Sequence, residues 1–308
     1  MSEQFKTQTR LLVQSLPFVA EETDFALKGG TAINLFYRNL PRYSVDIDLV
    51  YVPVKDRNES LRSITQNLMR LSSRIREALP QVTEVTDHLN SAAPRDAGKV
   101  FVQTTEAQIK IEVSPVLRGT LFDPEPRSVS EHVEQEFGFA AMPLLVFEEI
   151  FAGKIVAALD RAHPRDLYDV KLLLDREGIS DQLFRVLLIY LISSRRPVHE
   201  LLNPKDKNIE EAYLSNFQGM SIEPVSLDDL YAARRRLVQQ LRDRTTGDAA
   251  SFLESVHECR PDFRLINLDQ AADLPAVRWK LQNLRKFKAD NPRRHAEQLE
   301  ALRETFVK

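Results

Sequence analysis

Between Ser44 and Pro53 the chain reads SVDIDLVYVP, an apolar run interrupted by Asp46 and Asp48. Alternating character closed by a proline predicts a strand. Residues two apart on a strand point to the same side, so Ser44, Asp46 and Asp48 share one face while Val45, Ile47 and Leu49 pack on the other. Two ionised carboxylates about 7 Å apart repel, and burying them is costly unless positive charge stands between them. A divalent cation, or a pair of ions bridged by phosphates, supplies that charge. Carboxylate oxygens are hard ligands, which suits Mg2+ or Mn2+ and leaves coordination positions for water and triphosphate oxygens. The plainer reading, a structural pair at a strand end, gives no reason for two acids on one face of an apolar strand.

The residues just upstream extend this pattern. DFALKGG, residues 24–30, predicts a short strand entering a Gly-Gly turn, and TAINLFYRNL, residues 31–40, predicts a helix. Strand, Gly29-Gly30, helix is an order in which backbone N–H groups approach a phosphate closely and the helix N-terminus favours negative charge. Thr31 either caps that helix or bonds a phosphate oxygen. A Gly-Gly pair alone is also an ordinary tight turn; its weight comes from the acids on the next strand.

Elsewhere in the first half, residues 5–18 predict a helix. Leu61, Ile64, Leu68, Leu71 and Ile75 recur at helical spacing before Pro80, which predicts an amphipathic helix. QVTEVTDHL (residues 81–89), KVFVQTTE (99–106) and AQIKIEVSP (107–115) have β character. From Pro143 onward helical periodicity takes over, with breaks near Pro164, Gly178, Pro197, Pro204, Gly219 and Pro261. The expected class is α+β: residues 1–143 form a mixed β-sheet with flanking helices, and residues 144–308 a mainly helical domain. A chain of 308 residues, 43% hydrophobic and 28% charged, accommodates two such domains with no large disordered part. The single cysteine, Cys259, rules out an intramolecular disulfide and a cysteine-based zinc or iron–sulfur site, which favours a reducing compartment. The N-terminus lacks the apolar stretch of a signal peptide, and no run approaches the ~18 apolar residues of a membrane span. A cytoplasmic protein without membrane contact is the expectation.

The formal net charge of −3 argues against non-specific coating of nucleic acid. Locally the balance differs. Arg278 to Arg294 carries seven basic residues and one acid, with Trp279 and Phe287 among them, and Tyr231 to Arg244 is a second basic stretch. Solvated helix faces and a footprint for a phosphate backbone are the two readings.

GGTAINLFYRNLPRYSVDIDL resembles the first motif of polymerase-β-type nucleotidyltransferases. With Arg42, Ser44, Asp46 and Asp48 in place, it is similar in particular to the AbiEii/AbiGii (MenT-like) toxin family. EEIFAGKIVAALDRAHPRDLYDVKLLL, Glu148 to Leu174, resembles that family's later motifs, a lysine on one helix and an Arg-Asp-x-x-Asp element opening the next. The motifs cover residues 25–175, and VRWKLQNLRKF near the C-terminus is similar in character to family members.

The resemblance implies a toxin of a toxin–antitoxin system, associated with phage defence, that transfers a nucleotide from an NTP to an acceptor. The implied acceptor is the tRNA 3′ end, whose modification stops translation, and the implied partner is a cognate antitoxin protein or antitoxin-controlled operon. It places phosphate binding on Gly29 and Gly30, with Thr31, Arg42 and Ser44 around the nucleotide. Metal and catalysis fall to Asp46 and Asp48, the essential lysine is Lys154, and the Asp-x-x-Asp pair is Asp166 and Asp169. Alternation in AQIKIEVSP puts Lys110, Glu112 and Ser114 on one side. Glu112 thereby becomes the candidate third carboxylate, where the superfamily usually has aspartate.

Each residue of the second motif also has a plainer reading. Lys154 reads equally as a snorkelling lysine, and Asp166 and Asp169 as acids favoured in the first turns of a helix begun by Pro164. If catalytic, Asp166 either orients Lys154 or accepts a proton. Arg161 and Arg165 are phosphate or RNA contacts, or pair with these aspartates. His163, beside Pro164, reads as a cap neighbour rather than a catalyst. A small-molecule or protein hydroxyl as acceptor, phosphoryl transfer to protein, and a non-catalytic nucleotide- or RNA-binding scaffold are the competing functions.

Overall fold

The computed structural model describes residues 3–87 and 98–306. The chain divides into two compact units: Met1–Ile150 with Gln218–Pro224, and Phe151–Phe217 with Val225–Lys308.

In the first unit the elements run α1 (Glu3–Ala20), β1 (Phe25–Lys28), α2 (Gly29–Thr31), a π-helical turn (Ala32–Tyr37), β2 (Asp46–Tyr51), α3 (Arg57–Ala78), β3 (Glu84–Asp87), β4 (Lys99–Gln103), β5 (Gln108–Arg118), β6 (Glu125–Ser128), α4 (Glu131–Phe137) and β7 (Ala141–Leu144). The seven strands form one mixed sheet in the order β3-β4-β5-β2-β1-β7-β6. β2 runs parallel to β5 and β1 parallel to β7; the other neighbours are antiparallel. Parallel strands need a long connection. The link from β2 to β5 includes α3, which begins with the Asp56 carboxylate accepting the N–H groups of Asn58 and Glu59. Ile64, Leu68, Leu71 and Ile75 of α3 are buried as their spacing predicts, and Leu61 is half-buried. Ile47 and Leu49 of β2 and Ile111 of β5 are fully buried, anchoring one face of the central strands in the core.

The predicted strand over residues 81–89 is realised as β3; residues 88 and 89 lie outside the described residues. β6 and β7 carry no strand signal in the sequence. Each has four residues and a proline, and Pro126 pairs in register with Pro143. Proline is tolerated on β6 because it is the sheet edge, with all four residues exposed.

The boundary between the units falls within α5 (Phe147–Arg161). The second unit continues as α6 (Pro164–Arg176), α7 (Asp181–Ser193), α8 (Val198–Leu202), α9 (Glu210–Asn216), α10 (Leu227–Arg244), α11 (Asp248–His257), two 3-10 turns, α12 (Pro275–Asp290) and α13 (Pro292–Glu304). Its most apolar helix, α7, buries eight side chains and packs against α8, α11 and α12, while α6 packs on α10. The proline and glycine breaks fall at helix ends: Pro164 opens α6, Gly178 follows it, and Pro197 precedes α8. Between α9 and α10 the chain returns to the first unit as Gln218–Pro224, a detour that no residue pattern in the sequence marks. Among the described residues no helix is long and apolar enough to cross a membrane.

Candidate active site

The end of β1 sets the geometry of the turn. Lys28 pairs with Asp48 across the β1–β2 ladder, and the chain then enters Gly29 at φ +74°. A Cβ at Gly29 would stand 2.5 Å from Asp48 Oδ2, so glycine alone lets this backbone lie against the carboxylate. A Cβ at Gly30 would stand 2.7 Å from the Arg42 guanidinium. Gly29 is thus required by its φ together with its approach to Asp48, while a Cβ at Gly30 would have to displace the tip of the buried Arg42 side chain. Asp46 and Asp48 start β2 on the same face, opposite Ile47 and Leu49, and both keep part of their surface exposed.

The residues around the pair are tied to it through hydrogen bonds. Thr31 donates its hydroxyl to the Asp46 carbonyl and lies 2.7 Å from the Ser44 hydroxyl, while Thr9 donates to the Ser44 carbonyl at 2.9 Å. Thr31 and Ser44 are buried, so they fix the α2–β2 geometry. Arg42 is 2% exposed and donates to the Tyr43 carbonyl at 2.8 Å. The returning segment 218–224 holds this loop: Tyr43 N–H donates to the Met220 carbonyl, Ile222 N–H donates to the Pro41 carbonyl, and Arg42 bridges Ser221.

The parallel neighbour adds two more charged groups. Register places Lys110 beside Asp46 and Glu112 beside Asp48, which brings Glu112 to the aspartate face. Lys110 Nζ lies 2.7 Å from Glu112 Oε2 and 4.0 Å from Asp46 Oδ1. Burial pushes the Lys110 ammonium down, but the hydrogen bond to Glu112 and the charges of Asp46, Glu112 and Asp48 outweigh it and hold its pKa above the ordinary value. The sequence puts Lys110 on this face but gives no sign that it bonds Glu112; only the β2–β5 register reveals its approach to Asp46. Among the described residues no three His, Cys, Asp or Glu side chains are gathered so as to hold an ion by themselves.

A second cluster lies wholly in the second unit. Lys154 on α5 places Nζ 2.8 Å from Asp166 Oδ1 and 3.1 Å from Asp169 Oδ2, both on the first turns of α6. Arg161 clasps Asp166 from the other side, at 2.6 Å and 3.1 Å. Lys154, Asp166 and Asp169 are buried, whereas the Arg161 side chain is 60% exposed. Burial pushes the Asp166 carboxyl up, but Lys154 and Arg161 together hold it well below the usual carboxylate range. The geometry follows from the intervening turn: Ala162 takes φ +50°, His163 caps α6 by accepting the Arg165 N–H, and Pro164 opens the helix. Arg165 is half-buried beside this cap.

The basic C-terminal stretch forms α12 and the start of α13. Arg285, Lys286, Lys288, Arg293 and Arg294 are exposed, and so is Trp279, at 52%. Lys280 is different. Its ammonium donates to the Ser194 carbonyl at 2.7 Å, and burial pushes its pKa down to about 8. Of the second basic stretch, Arg234 is buried on α10 and donates to the Lys205 carbonyl.

A mixed sheet whose strand–Gly-Gly–helix turn leads into two same-face aspartates defines a nucleotidyltransferase domain. The sequence matches the family profile described as nucleotidyl transferase AbiEii toxin, type IV toxin–antitoxin system, over residues 10–283. The chain belongs to that family, and it is an enzyme of the nucleotidyltransferase class. Its fold is similar to that of MenT4, a nucleotidyltransferase toxin from Mycobacterium tuberculosis H37Rv, with a TM-score of 0.61 and 17% identity over 91% of this chain and 93% of that one. No curated protein sequence matches this chain.

Proposed function

We propose that this toxin transfers a nucleotide from an NTP to the 3′ end of tRNA in the cytoplasm and so blocks translation, and that Asp46 and Asp48 hold the divalent cation that accompanies the triphosphate. The observation that carries the reading is the contact between Gly29 and Asp48: phosphate-type turn and acidic pair are built against each other, with no room for a side chain between them. The donor set fits Mg2+ or Mn2+. Two part-exposed aspartates offer hard oxygens, and the remaining positions fall to triphosphate oxygens and water. When bound, the ion neutralises phosphate charge and steadies the departing pyrophosphate.

The chain's own groups do the positioning. Gly29 and Gly30 present backbone to the phosphates. Thr31 and Ser44 hold β2 against that turn, and buried Arg42 supports it from behind through Gly30. The essential lysine that the family motif implies falls on Lys154, which Asp166 and Asp169 hold in place. Asp166 acts as an orienting group, because a carboxyl held so far below its ordinary range is a poor proton acceptor at neutral pH. The exposed face of α12 and α13 receives the phosphate backbone of the acceptor, with Trp279 available for stacking on a base. Glu112 stands beside Asp48 as a third carboxylate. A cognate antitoxin restrains the activity in the cell.

The test is incubation of the protein with total RNA, Mg2+ and each α-labelled triphosphate in turn. Label retained on the 3′ end of tRNA is expected. Label on protein or on a small hydroxyl compound, with none on RNA, would refute the tRNA acceptor, and transfer of a γ-label would refute nucleotide transfer itself.

A further inference from the structure

The aspartate face is not a bare acidic surface. Among the described residues three carboxylates share it with three lysines, and one of these lysines, Lys110, is already bonded into the group. Parallel register sets Lys110 directly beside Asp46, and its ammonium bonds Glu112 at 2.7 Å while standing 4.0 Å from Asp46 Oδ1. Of the other two same-face lysines, Lys28 lies opposite Asp48 across β1–β2 and Lys99 opposite Glu112 across β4–β5. An ammonium is a compact, strongly hydrated point charge on a flexible stem, and its tether gives it a high effective concentration beside its neighbours.

We propose that Lys110 is the resident counter-cation of this face, standing where it opposes a free divalent ion and letting the ion enter only together with a triphosphate. This inference rests on the reading of Asp46 and Asp48 as the metal ligands. Its physical basis is charge balance. A divalent ion arriving alone at Asp46 meets an ammonium a few ångströms away, and that repulsion offsets much of the attraction of the carboxylates. An ion arriving with a triphosphate brings negative charge of its own, which the ammonium attracts rather than repels. Lys110 need not leave the site, because its bond to Glu112 lets it swing away from Asp46 while staying paired. Glu112 is then the anchor of Lys110 in the resting protein. The device gives the toxin low affinity for the free cellular ion and couples metal entry to substrate.

Full-length protein is titrated with Mn2+ alone, and free Mn2+ is followed by its paramagnetic resonance signal. Lys110→Met keeps the stem and removes the charge. It is expected to raise affinity for free Mn2+ about tenfold or more, the scale of removing one like charge at this range in an intermediate dielectric. Lys110→Gln serves as a second neutral variant, and Lys110→Arg should stay as weak as wild type. Lys28→Met should produce a clearly smaller rise; a rise equal to that of Lys110→Met would mean a diffuse field and overturn the assignment. Adding non-hydrolysable analogues of the four NTPs should bring wild type and Lys110→Met within a few-fold of one another. Unchanged affinity for free Mn2+ in both neutral variants would sink the inference. The underlying reading is checked separately by Asp46→Asn combined with Asp48→Asn. If Mn2+ still binds with the analogues there, the metal assignment fails. If binding is lost there and the Lys110 variants match wild type, only the counter-cation role fails.

Discussion

The β2–β5 face and the α5–α6 cluster are both built from lysine and acid, yet they are arranged for opposite ends. On the first, Asp46, Asp48 and Glu112 stand among Lys28, Lys99 and Lys110, and the groups remain partly open to solvent. In the second, Asp166 and Asp169 meet Lys154 and Arg161, charge is balanced, and both acids are buried. A cluster open to solvent can exchange its internal partners for an arriving ion or ligand. A buried one has its geometry fixed. One is therefore built to receive something from solution and the other to hold a side chain still.

The comparison breaks most visibly under loss of an aspartate from the open face. Asp46→Asn or Asp48→Asn is expected to lower nucleotide transfer by roughly 10²–10³-fold or more, the scale of removing one preorganised charge-stabilising group. Thermal stability should stay level or rise slightly, since one of several repelling acids is gone. Transfer assays beside melting curves check both halves, and wild-type rates from a folded double variant would end the assignment.

The closed cluster should respond the other way. Asp166→Asn leaves Lys154 and Arg161 short of a buried partner and is expected to cost about 3–5 kcal/mol of stability at neutral pH. Because the folded Asp166 carboxyl titrates well below its unfolded value, its contribution is fully present above that unfolded value. The contribution is lost as pH falls toward the folded value. Urea midpoints of wild type and variant should therefore differ by a constant amount above about pH 5 and converge below about pH 4. A gap that stays constant into acid would show that Asp166 does not carry the ion pair.

Gly29→Ala sharpens the contrast within the open face. Alanine at φ +74° costs on the order of 1–2 kcal/mol, and its Cβ displaces the Asp48 carboxylate. NTP affinity, read by calorimetry with Mn2+ present, should fall by more than this stability loss implies. The smallest effect belongs to α12 and α13. Replacing Arg285, Lys286, Lys288, Arg293 and Arg294 by Gln should weaken RNA binding and flatten its salt dependence by roughly 0.7–0.9 in slope per lost contact. NTP binding should hardly move. Parallel salt lines of equal height for variant and wild type would remove this face from the acceptor site.

Much of the open face was legible because strand alternation is a local rule: it assigned Asp46, Asp48, Lys110 and Glu112 to sides without knowledge of their neighbours. What alternation cannot give is register, and the approach of Lys110 to Asp46 depends on β5 lying parallel to β2 rather than on anything within either strand. Lys154, Asp166 and Asp169 were recognisable by motif. Their mutual bonding depends on the angle between α5 and α6, set by Ala162 at positive φ and the Pro164 start. β6 and β7 stayed hidden because four-residue strands containing proline have too little periodicity to register. Segment 218–224 stayed hidden because its partners are far away in sequence.

That last segment has a consequence for how the toxin is made. The backbone beside Arg42 is held by residues around Met220, and the Arg42–Met220 contact spans 178 positions of the chain. During synthesis from the N-terminus, the sheet and the glycine turn are complete long before their clamp has left the ribosome. The loop that backs Gly30 therefore waits for more than two thirds of the polypeptide, and a chain truncated before Gln218 carries the acids without the brace behind them.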